Sequence, residues 1–222
     1  MTNYFMMESW GLANEEPTQK PGRVDFDDWA DEYGLDANKV NFRLGWRLAG
    51  LNIPNPIRMV WKEEIAGGGL AWEMEGKPSQ GPRSADGVRR KWLYKAGNPP
   101  LFHKALVGAI REFGVDNLEV FPVAITDRRT GEVCNDYFAV NIVGLVKAAD
   151  MAKSRATSHS PDGLIDTDFD SVAIDERTPR DFKMFRLAES VNALVVHRSV
   201  KEHLESLGGF ELTFTEPKDW IG

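Results

Sequence analysis

One segment pattern occurs twice in this chain, and each occurrence calls for a sheet to pack against. Residues 101–121 run Leu101-Phe102-His103-Lys104, then Leu106, Ile110, Phe113 and Gly114, then Leu118-Glu119-Val120-Phe121. Residues 195–214 run Val195-Val196-His197-Arg198, then Val200, Leu204, Leu207 and Gly208, then Phe210-Glu211-Leu212-Thr213-Phe214. In both, an apolar pair precedes a His and a base. Apolar residues three and four apart then mark one face of a short helix, and a Gly stops it. A strand-like run follows. Such a helix buries its stripe only against another element, so the pattern predicts an α+β fold with two similar helix–strand units. Two copies 94 residues apart do not make a solenoid.

The rest of the chain reads mainly as strands, giving a mostly antiparallel or mixed sheet with a few short helices packed on it. Tyr4–Trp10, Ile57–Ile65, Val120–Thr126 and Tyr137–Val143 are rich in aromatic and β-branched residues, and Val40–Leu51 alternates less regularly. Tyr137–Val143 has the composition of a central strand. Thr126–Gly131 reads as a hairpin connection, and Val172–Ile174 and Met184–Leu187 as short strands around an acidic loop. Asp25–Tyr33 suits a short helix or ordered loop, and the Gly, Pro, Ser and Asp of Gly76–Gly87 suit a surface loop or linker. The division expected is a Trp-rich region over 1–94, in the same or an accessory domain, and an α+β domain over 95–222.

Composition bounds the function classes. With 222 residues, 42% apolar and 27% charged, the chain can bury a sizeable core. It has no apolar run of membrane-spanning length, and its start lacks the basic and apolar regions of a secretory signal. The single Cys134 fits a reducing cytoplasm. The net charge of −7 is uneven: −1 over residues 1–98 and −6 over 99–222. The second part would repel phosphates and attract a basic partner.

Each motif with chemical potential also has a plainer reading. His103 and His197 occupy matching places and could form an acid–base or metal pair. No second ligand stands at a metal spacing, and a His at a helix start can instead bond loop backbone, which is the reading preferred here. Asp166, Asp168 and Asp170 open like a calcium loop, but Ser171 and Arg177 stand where a turn Gly and a bidentate acid are needed. Gly67-Gly68-Gly69 lacks the Lys-Ser/Thr of a phosphate loop. Six of seven tryptophans precede residue 93, several beside bases, and could stack bases or sugars. With charge near zero in that half, core and interface use is favoured. No Gly-x-Ser-x-Gly elbow occurs, and Cys134 has no nearby His in the sequence.

The second copy, Asn192 to Gly208, resembles the C-terminal signature of a bacterial immunity-protein family. This is the eleventh immunity family of polymorphic toxin systems, formerly a domain of unknown function. Such proteins end on an apolar strand, a helix of the form base-apolar-Lys-Glu-x-Leu-Glu-x-x-Gly, and a strand carrying Phe. Pro99–Pro122 is similar to the other copy, and Asp175–Leu187 to an acidic loop leading into a Phe-Arg-Leu strand, so the resemblance spans roughly 95–217. It implies a cytoplasmic protein that binds and neutralises a cognate toxin, with no catalytic residue, cofactor or metal to carry over.

Charge placement then nominates the toxin contacts: Asp162, Asp166, Asp168, Asp170, Asp175 and Glu176 in one acidic loop, and Asp25, Asp27 and Asp28 in another. The expected partner is a basic toxin protein, with no role for nucleic acid or membrane; a homodimer stays open. The competing expectations are a sugar- or nucleic-acid-binding module built on the Trp-rich half, and a small enzyme using His103 and His197.

Overall fold

The computed structural model describes residues 2–8, 23–25, 42–62, 93–94, 100–127, 131–210 and 212–222. These form a mixed α+β structure of two main sheets and two α-helices, with no helix long and apolar enough to cross a membrane among the described residues.

The strands are β1 (Tyr4–Glu8), β2 (Arg23–Asp25), β3 (Ile57–Lys62), β4 (Leu93–Tyr94), β5 (Leu101–His103), β6 (Leu118–Asp127) and β7 (Val133–Cys134). They continue as β8 (Tyr137–Ile142), β9 (Leu145–Val146), β10 (Arg155–Ser158), β11 (Thr167–Ser171), β12 (Met184–Leu187), β13 (Leu194–His197) and β14 (Thr213–Thr215). Helix α1 is Lys104–Glu112 and α2 is Arg198–Leu207. One sheet has the order β14-β1-β13-β12-β9; the other runs β2-β3-β6-β8-β5-β4, with β7 paired to β6. Both are mixed: β3 pairs parallel with β6, and β9 with β12. Strands from the first 94 residues are therefore hydrogen-bonded into both sheets.

Each helix links two strands that flank a third. β5 and β6 both pair antiparallel with β8, and β13 and β14 both pair antiparallel with β1. As expected from the sequence, β8 is central. The strand expected over Val40–Leu51 is instead a 3-10 turn at Phe42–Leu44 and irregular chain, with 40–41 outside the described residues. Its irregular alternation had no two-sided strand to serve: Phe42 and Leu48 turn inward together to cover one sheet face.

Side chains alternate across the strands, so each sheet has two apolar faces. Phe5, Met7 and Val196 of one sheet and Phe102, Val140 and Ile142 of the other share a single cluster with Leu106, Ile110, Val200 and Leu204 of the helices. The far face of the seven-stranded sheet, including Ile57, Leu101 and Ile125, is covered by Phe42 and Leu48. Tyr4, Met6, Phe185 and Val195, on the far face of the five-stranded sheet, are covered by Phe169, Val172 and Trp220. This last layer carries the β10–β11 hairpin and positions the acidic residues.

Candidate functional site

Asp168 and Asp170 of the Asp-x-Asp-x-Asp segment lie on a strand, not in a loop. Along β11, Thr167 and Phe169 are buried while Asp168 and Asp170 are exposed, the period of two that one buried face imposes. Asp166, also exposed, precedes them in an isolated bridge with Ser190. The three carboxylates thus form an outward stripe, with successive Cα atoms roughly 6.5–7 Å apart. This corrects the acidic-loop expectation. The strand signal was present: Ser160-Pro161-Asp162-Gly163 is a turn sequence followed by strict alternation. Gly163 N–H donates to Ser160 O at 3.2 Å, closing that turn. Gly163 takes a φ of +69°, which a side chain would resist.

The nominated acids differ in what they already hold. Asp162 accepts the Leu164 N–H at 3.1 Å. That bond, with help from Ser160, holds its carboxyl below the usual range. Asp168 meets His159 Nε2 at 2.9 Å, which raises the pKa of the imidazole. Asp175 binds Arg177 through both oxygens at 2.9 Å, and this hydrogen bonding lowers its pKa to about 2. Glu176 accepts from Asn3 N and Nδ2 at 2.8 and 2.7 Å and so ties down the chain ahead of β1. Asp25 ends β2 in the other sheet, away from this set in the topology, while Asp27 and Asp28 lie outside the described residues. Residues 147–181 hold eight carboxylates against five Lys and Arg, a net of −3 with His neutral.

Two features escaped the sequence reading. Ile165 is 53% exposed and has a φ of 72°, unusual for a β-branched residue. Its conformation is pinned by Ile165 N–H to Ala188 O and by Asp166 N–H to Leu164 O, each 2.8 Å. The second of these bonds closes a γ-turn. Glu189 is wholly buried beneath the hairpin. Its Oε1 accepts Ala149 N–H at 3.2 Å, and its Oε2 has no partner among the described residues. Burial pushes the carboxyl above its ordinary pKa, against the backbone N–H groups that favour its charge.

The two His side chains do structural work at the helix starts. His103 accepts from Ala105 N, and His197 Nδ1 from Ser199 N, both at 3.2 Å, as helix N-caps do. Each ring meets a Tyr edge-to-face, His103 with Tyr137 at 5.4 Å and His197 with Tyr4 at 5.3 Å. Such edge contacts are a preferred aromatic geometry. His197 Nδ1 also lies 2.8 Å from Ser199 Oγ, but Ala105 takes the matching place after His103. Among the described residues no group of three or more His, Cys, Asp or Glu is placed to hold a metal ion.

Compared with known proteins, the chain matches no protein-family model and no curated sequence. Beyond the hairpin, a depression of about 340 Å³ is lined by Asn52, Pro54, Asn55, Pro56 and Arg58. Its walls mix two prolines with two amides and a guanidinium, and nothing in it sets up a reacting group. Trp46, on the same irregular segment, is 52% exposed, so of the core and interface use favoured from the sequence it does not serve the core. Of the other tryptophans, Trp220 is buried; Trp10, Trp29, Trp72 and Trp92 lie outside the described residues.

Proposed function

We propose that this chain is an immunity protein that binds a cognate bacterial toxin in the cytoplasm and blocks it by direct contact. The observation that carries the reading is the outward stripe of Asp166, Asp168 and Asp170, held on a hairpin whose other face is core. A rigid acidic face attracts a basic protein and speeds its docking, and exposed Ile165 beside it supplies an apolar anchor. The resemblance over 95–217 supports the same role. So does the scaffold, read as two copies of one unit: each has a His-capped helix, a facing Tyr and a central antiparallel strand.

The test is a pull-down with the product of the adjacent upstream gene, followed by rescue of that product's toxicity. Binding together with rescue is expected; failure of either counts against the reading. A second reading, a sugar- or nucleic-acid-binding module, draws on exposed Trp46. It predicts fluorescence quenching by an oligosaccharide or a single-stranded oligonucleotide that Trp46→Ala removes.

A further inference from the structure

We propose that β10 is a docking edge that receives an extended basic segment of the partner protein as an added strand. This rests on the toxin-binding reading and specifies how binding occurs.

The backbone directions carry the argument. Among the described residues β10 pairs only with β11, opposing Ala156 to Phe169, Thr157 to Asp168 and Ser158 to Thr167. Thr167 and Phe169 send their N–H groups away from β10, to Glu189 O and Gly222 O. In an antiparallel ladder the residues opposite them must likewise turn their N–H and C=O groups outward. Ala156 and Ser158 therefore offer two outward donor–acceptor sets, one two-residue repeat apart. All four residues of β10 are exposed, and the sheet of β10 and β11 has no further strand among the described residues. Ala156–Ser158 contains no Lys or Pro of the kind that protects edge strands. The register shift beside Arg155 limits the usable edge to this stretch.

Charge decides the occupant. A second copy docking through its own β10 would bring two Asp166–Asp168–Asp170 stripes together, and like charges across a small interface disfavour that pairing. A strand with Lys or Arg at alternate positions does the reverse. It would lie about 4.8 Å beyond β10, and its long cationic side chains could cross the short Thr157 toward Asp168. His159, just past the end of β10, reaches that carboxylate at 2.9 Å across one strand spacing, whereas a Lys or Arg of the added strand has to extend across two, about 9.6 Å. Exposed Arg155 at the other end places the bases of the segment toward Ser158 and Asp166. The recognition mode is strand addition: main-chain bonds supply affinity and alternate side chains supply specificity.

The test uses the full-length chain and two capped nonapeptides, one alternating Lys and Val, the other Glu and Val. Amide exchange is followed at Ala156 and Ser158. The Lys peptide should slow exchange at both sites at least fivefold, and the Glu peptide should not. Ala156→Pro removes an N–H that points away from β11, so it should keep the wild-type melting temperature and bind the Lys peptide at least tenfold more weakly. Thr157→Lys leaves every backbone group in place and should weaken binding at least fivefold, so a poorly folding Pro variant would not shield the proposal. Equal binding by the variants overturns it, as does protection elsewhere, or a β10-mediated dimer in sedimentation that Ala156→Pro abolishes. Because the probe is a peptide, its failure removes the docking mode, whereas failure of pull-down and rescue removes the broader function.

Discussion

His103 and His197 each satisfy one of the orphan N–H groups in the first turn of a helix, a task usual for Ser, Thr, Asp or Asn. Replacing either with Ala should cost about 1 kcal/mol, as read from urea unfolding, and His197→Asn should recover most of that loss. Binding of the proposed partner should not change, whereas an acid–base or metal role would make Asn as damaging as Ala. Glu189 makes a contribution that depends on pH. Its folded-state pKa is raised by burial, so between its unfolded and folded values the native state holds more protons. The stability it provides is full below the unfolded value and is lost as pH rises through the folded one. The stability of wild type relative to Glu189→Gln should therefore increase as pH is lowered from 8 toward 5 in paired thermal melts. A flat or reversed difference would contradict the burial argument.

At the level of elements, features that do a local task were readable and joins between distant elements were not. The helix stripes and stop glycines appear in the sequence because each performs a local task. Gly114, with a φ of +87°, closes α1 through Gly114 N–H to Arg111 O at 2.8 Å and Val115 N–H to Ile110 O at 3.3 Å. Left-handed glycine at a helix end is the usual stop. The carboxylate stripe was half-readable: the acids were evident, and the alternation that puts Asp168 and Asp170 on β11, with Asp166 just ahead of it, overlaps a calcium-loop pattern. Joins between distant elements left no local mark. Asn117 donates through its amide to Val143 O and Met184 O, both at 2.8 Å, fastening the end of β8 to β12 of the other sheet. Glu119 accepts Leu48 N–H at 3.0 Å and Asn141 Nδ2 at 2.9 Å, which fixes the irregular 42–53 segment to its sheet. Asn117→Ala removes both donors at the first join and should cost about 2–3 kcal/mol in urea unfolding, whereas a loss below about 0.5 kcal/mol would mean the sheets are held elsewhere.

Over the whole molecule, sequence order and spatial order part company. The N-terminal strand β1 sits between β13 and β14, and Glu176 holds Asn3 from the loop after β11. A core shared by both sheets and both helices lets the hairpin layer over the five-stranded sheet present charge without providing the main packing. The uneven charge of the chain gains a location in this way: much of the acidic excess after residue 98 lies in 147–181, on and around β10 and β11. The most direct test of the proposed role is the affinity of wild type and of the triple variant Asp166→Lys, Asp168→Lys, Asp170→Lys for the upstream gene product, at about 50 and about 300 mM salt. The variant, folded as wild type by circular dichroism, should bind more than tenfold more weakly at low salt. The wild-type affinity should also fall as salt screens the contact. Equal affinities, or a wild-type affinity insensitive to salt, would contradict the proposed role.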